Sequence, residues 1–242
     1  LVAVRVTPAP TIVLARSDYF SFLSEGGALQ LELESYIGKR RRRTPIRDRT
    51  VATTTSLADG SIHNPVGASV VTLVHIHADE DRPRESRVLL QKRAKNVAVS
   101  PGLHNVVPSF QILAPEGVGD VFDIRDDLIR EYLEELFNFD DVIHTADRKQ
   151  ASRHWYLGEP EARALSDGLR DGRHRFEILG MGIDLVHGGL HLACLLELSS
   201  SREDFYRLTA NWEGKIYDCN LGARELDDLV LAHEFEPDAT FA

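Results

Sequence analysis

The stretch "ASVVTLVHIHADEDRPRESRVLLQKRA", residues 68 to 94, decides how the rest of the chain is read. Its opening, 68 to 78, is short, apolar and β-branched, so it reads as a buried strand. The charged, proline-bearing "DEDRPRES" (79 to 86) is a turn, and "RVLLQKRA" (87 to 94) is a second strand. Downstream, "SPGLHNVVPSFQIL" (100 to 113) is a turn and then another extended run. "APEGVGD" (114 to 120) is a glycine-bearing loop, and an amphipathic helix follows over 123 to 137. Beyond it the pattern predicts a strand at "HWYLG" (154 to 158) and a helix at "EPEARALSDGLRDG" (159 to 172). Strands follow at "FEILGMGIDL" and "LHLACLLEL", and "ARELDDLVLAHEF" (223 to 235) is a closing helix. This mixed order predicts an α/β or α+β fold with a sheet packed between helices.

Upstream, residues 50 to 65 read as extended, with a turn at Asp59-Gly60. "GKRRRRTPIRDR" (38 to 49) is the sharpest change of composition in the chain. Such a like-charge block is expected to be a solvated linker or loop, with a phosphate- or nucleic-acid-contacting arm as the alternative. Residues 2 to 6 and 11 to 14 are strand-like, and Ser17 or Asp18 is placed to cap a short helix. Residues 1 to 67 are therefore expected to be an N-terminal extension of a domain spanning 68 to 242.

The chain has 242 residues, 43% hydrophobic and 27% charged, an ordinary balance for a domain with a real core. Its net charge of -10 disfavours non-specific nucleic-acid binding, which needs a basic footprint. Two cysteines, Cys194 and Cys219, form no metal-type spacing, and their low number fits a reducing, cytoplasmic setting. No apolar run reaches the roughly 18 residues of a membrane span, and no secretory leader pattern is seen.

On the helix, Ile124, Leu128, Ile129, Tyr132, Leu133, Leu136 and Phe137 recur at three- and four-residue steps and make one apolar stripe. Asp127, Glu131, Glu134 and Glu135 share the other side, with Arg130 and Arg125 as the local cations. Helix physics alone makes that side a solvated acidic face. The competing reading is a divalent cation, which turns the mutual repulsion into attraction because Mg²⁺ prefers hard oxygen ligands.

"RVLLQKRA", then "SPGLHNVVPSF", then "REYLEEL" resembles the Nudix hydrolases in order and spacing, and "WEGKIYDCNLGARELDDLVLAHEF" resembles their last strand, turn and closing helix. The likeness spans roughly residues 68 to 236. Arg130-Glu131-Tyr132-Leu133-Glu134-Glu135 matches the centre of the family's signature box. Elsewhere the sequence departs from the box. Its first glutamate would fall on Phe122, one place from Asp123, and its first glycine on Glu116, beside Gly117. Its later glycine falls on Phe137 and the next apolar position on Asn138. The family's double glycine reads Pro108-Ser109-Phe110-Gln111.

The resemblance implies an α/β/α sandwich with a mixed sheet. It also implies Mg²⁺- or Mn²⁺-dependent hydrolysis of a diphosphate linkage, in a nucleoside diphosphate derivative or a similar organic pyrophosphate. By position, Glu131, Glu134 and Glu135 would hold metal. Glu131 and Glu134, with Arg130 orienting them, would be catalytic. Arg93 and Lys92, which end a strand near the proposed cleft, are candidates to contact phosphate on that position alone, though exposed strand-end cations are common. A phosphorylated small molecule is the implied partner, and a homodimer is compatible with the reading. The alternative is a catalytically weakened Nudix-fold module that binds a ligand and regulates. Glycine serves where the backbone turns with positive φ, a conformation that Phe137, at the box's later glycine position, could not adopt cheaply.

Other residues carry less. His75 and His77 alternate onto one strand face, a spacing that can ligate metal but more often marks a polar face. His187 and His191 flank Gly188-Gly189 in what reads as a surface turn. Gly180-Met181-Gly182 lacks the third glycine of a dinucleotide fingerprint, and no GxSxG elbow or P-loop is present. Lys92 shares its strand end with Arg93. Glu197 and Glu213 are equal candidates for a further carboxylate outside the box.

Overall fold

The computed structural model describes residues 2–6, 10–14, 19–40, 42–50, 66–97, 101–113, 123–139, 155–184, 188–220, 224–231 and 235. The chain divides into two compact units, one of residues 1–67, 111–114 and 181–191, the other of 68–110, 115–180 and 192–242.

In the first unit, β1 (Val2–Val6) pairs antiparallel with β2 (Pro10–Leu14), Val4 facing Ile12. The helix expected to be short is 19 residues long, α1 (Tyr19–Ile37). The basic run is corrected in one respect: Pro45–Thr50, at its end, forms a short helix, α2, where a linker or loop was expected, while most of the described run is exposed. Two causes are visible. Proline suits a first helical position, where its missing N–H is not needed. Glu32, buried on α1, accepts hydrogen bonds from the N–H groups of Ile46 and Arg47, both at 2.8 Å, satisfying the start of α2.

The second unit holds most of a seven-stranded sheet, a few of whose strand-end residues are grouped with the first. Its strands are β3 (Val66–Ile76), β4 (Glu85–Arg93), β5 (His104–Val106), β6 (Ser109–Gln111), β7 (Arg175–Ile183), β8 (Leu190–Ser200) and β9 (Gly214–Asn220). The order is β5-β4-β3-β8-β7, with β6 paired to β3 and β9 to β4. The opening stretch is thus the antiparallel centre of the sheet, with Leu73 opposite Val88 and Thr72 opposite Leu89.

Register assigns the two faces. Leu90 lies opposite Val106 and Tyr217, and Val88 opposite Cys219. These residues pack with Val71, Leu73 and Phe235, and with Leu226 and Leu229 of a helix at Arg224–Leu231. Side chains alternate along a strand, so Leu89, Gln91 and Arg93 face the other way. On that side lies α3 (Ile124–Phe137), whose Glu135 accepts a hydrogen bond from the Ser109 N–H at 3.2 Å. Helices therefore cover both faces of the sheet, the α/β/α layering expected from the sequence.

Behind α3, Trp155–Gly158 is a 3-10 turn, not the expected strand. Only Tyr156 of the turn is known to be buried, while Leu157 and Gly158 are exposed, so the run lacks the alternating burial that a strand needs. Pro160 then opens α4 (Pro160–Asp171), which ends at Gly172 with φ 80°. A four-residue helix, α5 (Arg202–Phe205), is capped by Ser201, and the closing helix at Arg224–Leu231 is α6. The sequence ran that helix on to Phe235, but Phe235 forms a parallel bridge with His104 and is buried in the core. Among the described residues no helix is long and apolar enough to cross a membrane. The turn at Asp59-Gly60, the proposed caps Ser17 and Asp18, the loop 114–120 and His187 lie outside the described residues.

Candidate functional site

The helix pattern alone predicts a solvated acidic side on α3, but most of that side is buried. Asp127, Arg130, Glu134 and Glu135 are buried, and so are Leu128, Ile129, Leu133 and Leu136 on the apolar side. α4 packs against α3 and Ser109 of β6 reaches Glu135, contacts that no periodicity within the helix could reveal. Asp123 begins the helix, its carboxylate accepting from the Arg125 N–H at 2.9 Å. Asn138 ends it in the left-handed region, φ 54° and ψ 36°. The left-handed turn thus falls one residue after the position of the box's later glycine. Phe137 stays helical and Asn138, which tolerates this conformation better than most residues, takes the turn.

Arg130 sits among three carboxylates, 2.8 Å from Glu131, 3.3 Å from Glu134 and 3.9 Å from Asp127. Burial works against its charge, but Glu131, Glu134 and Asp127 outweigh it and hold its pKa above the ordinary arginine value. One guanidinium cannot neutralise all the acid present. Burial pushes the Glu131 carboxyl up to about 8; Arg130 opposes this, while Glu134 and Glu213 add to it. Glu135 is raised well above the usual range by burial, then by Glu131 and Glu213. The Ser109 N–H and the Arg93 cation pull it back only partly.

These couplings place the other candidates. Arg93 lies on the α3 face and acts on Glu135. Its neighbour Lys92 points to the opposite face, 3.4 Å from His104. Glu213 belongs with the cluster. Glu197 does not: it pairs with His75 at 3.7 Å and with Arg175 at 3.1 Å, and His75 alternates with Leu73 on the α6 side. The choice left open between the two glutamates thus falls on Glu213. His75 bonds Ser86 at 2.8 Å and His77 bonds Ser199 at 2.6 Å, so both serve the sheet.

Ser109 was not read as a site residue, because its contribution is a main-chain N–H that any residue but proline can supply. Asp127 was noted only as part of the acidic face; its spacing of three from Arg130 was the available signal. A cleft of about 550 Å³ lies beyond the other side of α3, lined by Tyr132, Phe137, Leu165 and Phe205, and the carboxylates do not open into it.

The donor set is hard oxygen, buried and short of positive charge, which suits a divalent cation. Among the described residues no three His, Cys, Asp or Glu side chains are gathered closely enough to hold an ion by themselves. Mg²⁺ does not require that, since it commonly takes one or two carboxylates and completes its shell with water and substrate phosphate. On this ground the residues fit the ion.

No family model and no curated protein matches the chain. Among solved structures, a bifunctional NMN adenylyltransferase/ADP ribose pyrophosphatase from Francisella tularensis, complexed with AMP and a Mn ion, is similar at 10% identity and TM-score 0.43. A second structure of that enzyme gives 12% and 0.41. Each match covers about nine-tenths of this chain, 90% and 91%, but only 45% of the other. A Nudix hydrolase from Alicyclobacillus acidocaldarius is similar at 14% identity and TM-score 0.39, over 75% of this chain and 90% of that one.

Proposed function

We propose that this chain is a Nudix-type pyrophosphohydrolase acting on a diphosphate linkage in a nucleoside diphosphate derivative or a similar organic pyrophosphate. The observation that carries the reading is the buried acid on α3. Glu131, Glu134 and Glu135, joined by Glu213, bring together more carboxyl groups than Arg130 and Arg93 offset, so Glu131 and Glu135 are driven toward the protonated form unless a cation is bound.

Mg²⁺ or Mn²⁺ bound there would neutralise phosphate oxygens and lower the pKa of a bound water. Glu131, Glu134 and Glu135 are the residues to hold it. Arg130 holds Glu131 through one terminal nitrogen and Glu134 through the other, and so fixes the directions of both carboxylates. The remaining carboxylate capacity takes the proton from the attacking water, and Glu134 is assigned this role. Arg93 meets the substrate phosphate when that phosphate displaces its attraction to Glu135. Water adds to one phosphorus and the bridging oxygen leaves with the other, giving a phosphate monoester and a second product that also keeps its phosphate, either another monoester or inorganic phosphate. Residues 68–242 carry this chemistry, with 1–67 as an extension.

The test is a panel of nucleoside diphosphate derivatives incubated with Mg²⁺ or Mn²⁺, with phosphate products quantified. Metal-dependent release that disappears in Glu134→Gln is expected. A second reading is favoured by the scattered carboxylates, none of which form a closed cage of three among the described residues. In that reading the domain binds its ligand and regulates, and the panel would raise the melting temperature without turnover.

A further inference from the structure

Gln91 and Asn105 stand directly opposite one another on β4 and β5, and each is about 1% exposed. A buried amide is costly unless its polar atoms are bonded. Gln91 Nε2 and Asn105 Oδ1 are both buried without a hydrogen-bond partner. One is a donor and the other an acceptor. Their neighbours Leu89, Leu90 and Val106 keep the apolar pattern of a sheet core, so the two amides are exceptions within it.

They also face the candidate site. Gln91 precedes Arg93 by two residues and so shares its side of the sheet, the side on which Arg93 acts on Glu135. Space for the glutamine is made by Gly214, the residue after Glu213. A Cβ there would stand 2.8 Å from Gln91 Cγ, 3.1 Å from its Cδ and 2.5 Å from the Lys92 carbonyl oxygen. Any other residue at 214 would push the amide away. Two residues along a strand span about 7 Å, which leaves room for a sugar between a group held by Gln91 and a phosphate held near Arg93.

The geometry points to Gln91 and Asn105 as the specificity-determining pair that reads the base of a nucleoside diphosphate. Gln91 Nε2 donates to a ring nitrogen or carbonyl oxygen, and Asn105 Oδ1 accepts from the N–H beside it. Adjacent acceptor and donor groups of this kind are the edge that Asn and Gln side chains recognise on nucleobases. The inference rests on the proposed function only for the location of the phosphates.

Calorimetry on the full chain with Mg²⁺, using ADP and inorganic pyrophosphate as probes, tests it against Gln91→Met, Asn105→Leu and the double variant. The wild type is expected to bind ADP at least tenfold more tightly than pyrophosphate. The double variant should bind both alike, with its pyrophosphate affinity unchanged and the melting temperature of the free protein not lowered. A double variant that keeps the ADP preference overturns the inference, as does a wild type that shows none. So does a single variant whose free melting temperature falls and recovers in the double, since the two amides would then be bonding each other for the fold. Absence of hydrolysis with these affinities intact would remove the hydrolase reading and leave the base-reading pair in place.

Discussion

Glu32 of α1 and Glu135 of α3 are almost equally hidden, at 2% and 3% exposure, yet their charges are handled differently. Both oxygens of Glu32 accept main-chain N–H groups from the first turn of α2, each at 2.8 Å, so the fold uses the charge completely. Glu135 has one such N–H, from Ser109 at 3.2 Å, and it faces Glu131 and Glu213. Burial of an acid is thus no sign of function by itself. What separates the two is whether the fold satisfies the charge or leaves it to be satisfied by something else.

The largest effect expected from breaking this contrast is on catalysis. Glu134→Gln keeps the shape of the side chain but removes its charge, and should lower phosphate release by about 10²–10⁴-fold, the usual contribution of a general base. The far-UV spectrum should stay unchanged, and intact turnover in this variant would remove Glu134 from the mechanism.

Metal should distinguish the two acids next. Saturating Mg²⁺ or Mn²⁺ at about 100 times its dissociation constant should stabilise the protein by about 2.7 kcal/mol, read as a raised melting temperature. Glu131→Gln/Glu135→Gln should lose that gain, whereas Glu32→Gln should keep it. An equal metal response in both variants would place the ion elsewhere.

Conversely, Glu32→Ala should cost about 2 kcal/mol in denaturant unfolding, because two helix N–H groups lose a charged acceptor, and should leave kcat unaltered. A loss of turnover without loss of stability would reverse the roles assigned to the two acids.

The smallest effect belongs to the end of α3. Asn138→Gly should change stability by less than about 1 kcal/mol, since glycine adopts a positive φ freely. Asn138→Val should be clearly worse, because a β-branched side chain resists φ 54°. Equal melting temperatures for the two variants would show that the left-handed turn is not what stops the helix.

Much of the fold was legible locally. The β-branched runs on either side of "DEDRPRES" are β3 and β4, and the three- and four-residue steps of 124–137 are α3. The pairing of Arg130 with Glu134 and Asp127 follows from helical spacing alone, whereas its pairing with the adjacent Glu131 does not. The misreadings have a common source. "HWYLG" looked like a strand because its aromatic and aliphatic residues suit one, but only Tyr156 is known to be buried and the chain turns. The basic run looked like a linker or loop because like charges repel, but Glu32, more than a dozen residues earlier, anchors its second half as a helix. Phe235 looked helical by continuation, yet it is bridged to His104 on β5.

The sequence by itself therefore determined the strands, the main helix and the spacing of its carboxylates, since each depends on neighbours within a few residues. Only the tertiary structure decided that the acidic side of α3 is covered, that Glu213 joins it while Glu197 faces away, and that Gln91 and Asn105 meet across two strands. Burial and strand register are set by contacts between residues far apart in the chain, and the same local pattern is compatible with either outcome until those contacts form.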